Sequence, residues 1–495
     1  MSRRILLVAA VAASIALLVL LDRTPPGVAT QPVAGEAFEV GRSSAVSSTW
    51  YCPIGSVATT GTAEWRLVLE NPASRERTVR ITVLPSDPAT GLSVLAPRPL
   101  PASATTVWSA SDLGITEPSA VIVESDGGDV SVEQRLSGAS GADAAPCADR
   151  AATQAYFPAM DTQRGNSARV WLANPFATDA SVDLEIASAD GVRIPAKLRG
   201  IVVPARTARA VEVGEIIQRN AQFAVAVRAR AGLVVAGLAQ GADGTQVPAG
   251  IRLELGRQQT ASTVTFAAGG APEGATERIV VYNPNRTDGR VALSVVPTNG
   301  DPPPEPFLLD VTARRFVTVD LDAETRVDRS TPHWIQVESL TEDGVVATRV
   351  LTLTDAVASL GSKPGRAGSA GLTQAARQWS VPYVAPAADA GTVLEVLNPG
   401  SRVATVTIKV LSGGTVAPFP VAAPIEVPPG RVVSVDAATA ATAGAVALEL
   451  SADQPVIAER RTVGATRDLT VQPALPHSAS VAEVPSVYVE GTPGS

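Results

Sequence analysis

Histidine, cysteine and methionine are nearly missing from this chain, whose 495 residues include two of each. So few imidazole and thiolate groups leave little material for a metal site, for His-based acid–base chemistry or for redox work. Aromatic residues make up 4% of the chain and charged residues 18%, which argues against sugar-stacking platforms and long solvated helices. An excess of positive charge is also missing. Lys and Arg number 40 against 48 Asp and Glu, a formal net charge of −8, the wrong sign for a protein that binds by neutralising phosphates. Nucleic acid is excluded as a partner on that ground. No G-x-S-x-G, H-E-x-x-H or phosphate-loop pattern occurs, and Lys363 in GSKPGR is misplaced for a phosphate loop. The chain is therefore read as no enzyme, with no cofactor and no catalytic, cofactor-binding or metal residues.

What is present is a hydrophobic content of 45% interrupted by 40 Gly and 39 Pro, a balance that favours β structure over disorder or long helices. At the N-terminus, Arg3 and Arg4 precede an uncharged run from Ile5 to Leu21, closed by Asp22 and Arg23. Positive charge ahead of a run that just reaches spanning length keeps the N-terminus in the cytoplasm and exports the rest of the chain. Residues 1–23 are expected to be a signal anchor or transmembrane helix in the cell membrane, single-pass, with the C-terminal bulk extracytoplasmic. The alternative is a signal peptide cut near Ala29 and a secreted protein. Cys52 and Cys147 suit an oxidising compartment and are expected to form a disulfide.

The chain repeats itself, and the repeats carry most of its information. An apolar run ending in Asn-Pro occurs four times: WRLVLENP, RVWLANP, RIVVYNP and VLEVLNP. Their turns are Asn71 and Pro72, Asn174 and Pro175, Asn283 and Pro284, Asn398 and Pro399, with the Asn residues 103, 109 and 115 apart. Each is followed by a second alternating run, then by a turn at Pro101, Pro204 and Pro428 that the third copy lacks, and by two more runs. Opening runs WYCP, AYFP, VTFA and WSVP precede the Asn-Pro strands. Cys52 thus stands where the other copies have Phe157, Phe266 and Val381, an apolar core position.

About seven period-two runs per copy predict an all-β chain of four tandem immunoglobulin-like β-sandwich domains after one N-terminal transmembrane helix. The alternative is a β-propeller with two blades per repeat. The segments are 1–23, signal anchor; 24–47, flexible stalk; 48–150, repeat 1; 151–261, repeat 2; 262–358, repeat 3; 359–376, linker; 377–472, repeat 4; and 473–495, flexible tail. Short helices are expected near Asp112 to Gly114 and Glu215 to Asn220.

The Asn-Pro pairs are expected to end strands, with the Asn side chain bonding the turn it starts. The late arginines Arg135, Arg349 and Arg460 or Arg461 are expected to form ion pairs or cover sheet edges, and the six Trp to pack in the core or between domains. Asp126 and Asp129 in SDGGD suit a hairpin turn better than a calcium loop.

The W-Y-C-P opening, the Asn-Pro strand end, the V-P-P-G turn at Val427 to Gly430 and the V-I-A-E-R ending at Val456 to Arg460 resemble a family of exported actinobacterial proteins of unknown function. The resemblance covers nearly all of the chain after residue 48. It implies a membrane-anchored or secreted protein, often encoded near envelope glycosyltransferases, and brings no catalytic residues. The combined expectation is a non-enzymatic cell-envelope scaffold or adhesion protein, an anchored rod of four domains. Its partners are the membrane, through the N-terminal helix, and an envelope protein or glycan. The alternative is an envelope-glycan-binding accessory protein for a glycosyltransferase.

Overall fold

Alternation at period two sends every second side chain to the same face of a strand, and in the second repeat this buries Val182, Leu184 and Ile186 of Ala180–Ser188 together. Val225 and Val227 of Phe223–Ala231 and Val170 and Leu172 of Asn166–Asn174 join them in one apolar cluster. That cluster is the filling of a sandwich. The structure is a computed structural model that describes residues 35–55, 63–270, 272–354, 364–386, 389–420, 424–464 and 469–488. The expected signal anchor and the first part of the expected stalk lie outside the described residues. Among the described residues no helix is long and apolar enough to cross a membrane.

In the second repeat one sheet runs in the order Gln154–Met160, Phe223–Ala231, Ala180–Ser188, Gly191–Arg193, with Ile201–Val203 also on Ala180–Ser188. The facing sheet is Thr207–Glu212, Asn166–Asn174, Val235–Ala242, Gly250–Leu255. The third repeat places Thr263–Gly269, His333–Ser339, Gly289–Pro297 and Phe307–Val311 against Arg315–Asp320, Ala275–Asn283, Val346–Leu353 and Gly365–Ala370. The first repeat follows the same plan. In the fourth, one 19-residue strand, Val446–Gly464, serves both sheets. These are the expected immunoglobulin-like sandwiches of two antiparallel sheets, with their own strand order. A propeller is ruled out, since strands adjacent in sequence mostly belong to opposite sheets. The expected short helices reduce to a turn near Asp112 and one helical turn, Val213–Ile216.

The repeats do not string out as a rod. Residues from Glu36 onward form one compact unit, in which the last strands Gly141–Pro146, Gly250–Leu255, Gly365–Ala370 and Leu469–Pro473 pack on one another in a closed cycle. The cycle is also closed by side chains. Arg460 of the fourth repeat pairs with Glu133 of the first, and Thr105 Oγ1 donates to the Pro382 carbonyl at 2.7 Å. Close approach between the first two repeats requires glycine: a Cβ on Gly55 would lie 2.0 Å from the Trp171 ring, and one on Gly237 would lie 2.7 Å from Ile54.

Three expected segment boundaries are corrected. Within the expected linker 359–376, Gly365–Ala370 is the eighth strand of the third repeat, paired with Val346–Leu353; its small residues fit a strand that must pack closely at the ring centre, where a Cβ on Gly368 would meet Arg252. The expected flexible tail pairs through Val481–Glu483 with Gln374–Val384, and Val487 N–H donates to Gln336 Oε1 at 2.7 Å. The described part of the expected stalk is docked by a few specific side chains. Phe38 and Val40 are buried, Val40 bridges in parallel to His477, and the buried Glu36 carboxylate pairs with Arg257 and accepts from Thr373 N–H at 2.7 Å. Composition rich in Gly, Pro and Ser signals flexibility only on average, and a few anchoring residues override it.

The turn that follows Arg98–Leu100, Ile201–Val203, Phe307–Val311 and Ile425–Val427 recurs with a left-handed residue at its end: φ is 46° at Ser103, 57° at Arg206, 59° at Arg314 and 66° at Gly430. Glycine alone adopts this without steric cost. Arg206 is exposed. Arg206→Gly is therefore expected to stabilise by up to about 1 kcal/mol, against the added freedom of the unfolded glycine, as read from the urea midpoint.

Candidate functional site

Cys52 and Cys147, both fully buried, form the expected disulfide. The four Asn side chains form one clamp repeated four times. Asn174 Nδ2 donates to the carbonyls of Thr178 at 2.8 Å, Val203 at 3.0 Å and Pro204 at 3.2 Å, while Oδ1 accepts from Phe176 N–H at 3.1 Å. Asn71, Asn283 and Asn398 repeat the pattern on their own turns. Pro72, Pro175, Pro284 and Pro399 follow as strand terminators. The motif ties the Asn-Pro turn to the next strand and is structural. Asn174→Ala is expected to cost about 2 kcal/mol by leaving buried carbonyls unpaired, measured by urea unfolding.

Two of the late arginines, Arg349 and Arg460, are buried connectors, while Arg135 and Arg461 are half-buried. By register, Arg349 lies opposite Ile279 and Arg460 opposite Leu394, in each case four residues before the Asn. They are equivalent to each other, with Gln134 and Leu238 in the remaining copies. Arg349 links Glu277, at 3.8 Å, to Glu459 of the fourth repeat, at 3.1 Å, and Glu277 also holds His333 at 3.0 Å. The Trp residues other than Trp108 are buried, and Trp334 Nε1 donates across a repeat junction to the Gly430 carbonyl at 3.0 Å. In SDGGD, Asp129 pairs with Arg77 at 2.6 Å and Asp126 caps Thr78 N–H at 2.7 Å, so both carboxylates serve the turn. Asp320 pairs with Arg278, and Asp322 accepts from Glu277 N–H.

Sequence reading missed the buried Glu70 and Asp143 and the half-buried Glu449. Asp143 lies at the ring centre, where Oδ2 accepts from Leu253 N–H at 2.7 Å and Oδ1 from Gln472 Nε2 at 3.3 Å. Burial pushes its carboxyl up to about 7, against the pull of these donors. Glu39 is raised to about 7 by burial and by Asp149. Burial raises the Glu70 carboxyl well above its usual range, and the nearby Glu449 carboxylate adds to this. Beside them, Ser380 Oγ hydrogen-bonds to Glu449 at 2.6 Å and to His477 Nε2 at 2.9 Å.

A carboxyl raised on folding holds a proton that the unfolded chain has released, so its stabilising effect is present at low pH and lost as pH rises toward the folded value. His333 is raised as well, Glu277 outweighing burial, and its contribution is lost as pH rises beyond about 6.5. The lowered carboxylates, including Glu277 and Asp183, contribute their stability above about pH 4.5 and lose it only as pH falls below that. Thermal stability is therefore expected to be greatest near about pH 4.5 and to be lower at pH 8 than at pH 5.5. Asp143→Asn should flatten that fall by about 2 kcal/mol, as followed by calorimetry at both pH values.

An open cleft with a volume of about 690 Å³ lies between the second and third repeats. It is built where a third-strand carboxylate of one repeat meets the fourth-to-fifth-strand turn of the next. Arg314, at the left-handed turn position, forks onto the buried Glu185, with Nε donating to Oε1 at 2.9 Å and the second nitrogen to Oε2. Arg228 lies 3.9 Å from the same carboxylate, donates to the Pro284 carbonyl at 2.9 Å, and covers the Tyr156 ring at 5.7 Å. Tyr156 meets Tyr282 edge-on at 6.2 Å. The Tyr282 hydroxyl is buried without a hydrogen-bond partner. Burial, then the Glu185 carboxylate, keep this phenol protonated far above its usual range. Arg286, Asn285, Thr287 and Asp343 form the outer rim.

Fold and cleft define a class: a closed assembly of repeated β-sandwiches, stapled by one disulfide and joined through buried ion pairs. More particularly, the chain belongs to the family of unknown function DUF5719, whose profile matches twice, over residues 129–331 and 258–490. No curated protein matches it. Among solved structures it is similar to the Anabaena sensory rhodopsin transducer, at 19% identity over 18% of this chain and 82% of that one, with a TM-score of 0.16. It is also similar to Thermotoga maritima 1070, at 14% identity over 23% of this chain and 93% of that one, with a TM-score of 0.20.

Proposed function

We propose that this protein is a non-enzymatic extracytoplasmic scaffold or interaction protein of the cell envelope, held at the membrane by its N-terminal segment. The observation that carries the reading is the closure of four repeats into one body, with buried ion pairs spanning two of the junctions. Arg349 with Glu459 joins the third repeat to the fourth, and Arg460 with Glu133 joins the fourth to the first, an arrangement that favours rigidity over turnover. The disulfide agrees with an oxidising compartment.

Fractionation of the native cells tests this. The chain is expected in the membrane fraction, released by detergent and not by salt, and detection in the cytosol would sink the proposal. A role in holding an envelope glycan, rather than pure scaffolding, is favoured by the polar cleft between the second and third repeats.

A further inference from the structure

Apart from Arg314, whose counterpart in the second repeat is Arg206, the charged lining of the cleft does not belong to the repeating design. Register pairs the four copies residue by residue, so every lining position has three counterparts. Glu185 corresponds to Thr82, Ser294 and Lys409, and Arg228 to Glu124, Glu338 and Ser451. Arg286, three residues after its Asn, corresponds to Ser74, Ala177 and Ser401. The opposing set of Glu185, Arg228, Arg286 and Arg314 is thus assembled at one junction of the four. Joining repeats does not demand it. The first junction closes on Gly55 against Trp171 and Gly237 against Ile54, and the third on Trp334 and Arg349.

Two features go beyond interface packing. Arg286 is exposed on the rim and has no ion pair among the described residues. The Tyr282 hydroxyl is fully buried without a partner, in the field of the same Glu185, Arg228 and Arg314 groups. The rim also offers acceptors. Gln154 and Asn285 use their amide N–H groups on the carbonyls of Gln258 and Gly344, which keeps each side-chain carbonyl available, and the Asp343 carboxylate lies beside them. A small inorganic anion would be repelled by Glu185 and Asp343 and would leave the acceptors unused. An acidic peptide would want apolar pockets, yet Pro284 and the Tyr156 ring are the only apolar side chains in the lining. The ligand that matches must carry one acidic group for a guanidinium and several hydroxyl donors for carbonyls and a carboxylate. The cleft volume lies in the range of small-ligand sites.

We propose that the cleft between the second and third repeats binds an acidic saccharide, with Arg286 on the carboxylate or phosphate and Gln154, Asn285 and Asp343 accepting from sugar hydroxyls. This rests on the reading of the chain as a non-enzymatic interaction protein and names its ligand class.

Calorimetric titration of the purified full-length chain tests it with four probes: a galacturonic acid tetrasaccharide, the matching neutral galactose tetrasaccharide, glucose 1-phosphate and inorganic phosphate. At least one acidic sugar is expected to bind about tenfold tighter than both the neutral sugar and phosphate, with the advantage shrinking as salt is raised. Arg286→Ala should remove that advantage, and Arg286→Lys should restore part of it. Binding of the uronate alone assigns a carboxylate source, and binding of the sugar phosphate alone a phosphate source. Failure of both acidic sugars, equal binding of the neutral sugar or phosphate, or indifference to Arg286→Ala overturns the site. Appearance of shortened oligosaccharides during the titration would instead overturn the non-enzymatic reading and leave the binding result standing.

Discussion

Replacing Cys52 and Cys147 together by alanine should destabilise the first repeat by about 4 kcal/mol, because the bond closes a loop of 95 residues in the unfolded chain. The loop holds nearly the whole first repeat, from its opening strand Ser48–Cys52 to the end of Gly141–Pro146. Without the bond the first strand is retained mainly by its pairing with Ser119–Ser125. Calorimetry should show a new low-temperature transition, displaced by more than about 10 °C if the repeat melts as a unit of its own size. Because the ring closes through Arg460 and Glu133, loosening of the first repeat should also expose the fourth. Hydrogen exchange would read this as faster exchange in Val446–Gly464. A single transition unmoved by the double substitution would mean that ring packing alone holds the first repeat.

Arg349→Met should cost about 3 to 5 kcal/mol, the usual penalty for stranding buried carboxylates. Arg349 is 3% exposed and stands between Glu277 and Glu459, at 1% and 0%. His333 would still face Glu277, and Glu459 Oε2 would still accept from Ala267 N–H at 3.0 Å, but no cation would span the two repeats at that point. Both carboxyls should then take up protons more readily, so the variant should recover stability on acidification more steeply than the parent. Urea unfolding at pH 5.5 and pH 8 checks both statements. A cost below about 1 kcal/mol at pH 8 would show that the pair is no more than a surface-grade interaction. Adding Glu459→Gln to Arg349→Met should return part of the loss, since the stranded charge is then removed.

The repeat, its strands and the role of the Asn-Pro turns were legible because they are local. Each Asn bonds carbonyls of its own turn and of the next strand, as Asn398 does with Arg402 and Val427. The disulfide was legible for a similar reason: Cys52 takes an apolar core position within the repeat register. The linker and tail were misread because Gly365–Ala370 and Val481–Glu483 carry weak strand signals and owe their pairing to neighbours already in place. The cleft was not legible. Glu185 and Arg314 are 129 residues apart, and no spacing rule joins a third-strand residue of one repeat to a turn residue of the next.

The sequence by itself determined the all-β class, the fourfold repetition, the sandwich as the unit and the pairing of the cysteines, all of which derive from side-chain period, turn chemistry and residue scarcity. Tertiary structure alone decided that the units close on themselves, that Asp143 and Glu70 are buried acids, and that one junction gathers Glu185, Arg228, Arg286 and Arg314. The physical reason is range. Periodicity fixes which face of a strand is buried, but the burial of a charged group depends on which distant strand is brought against it.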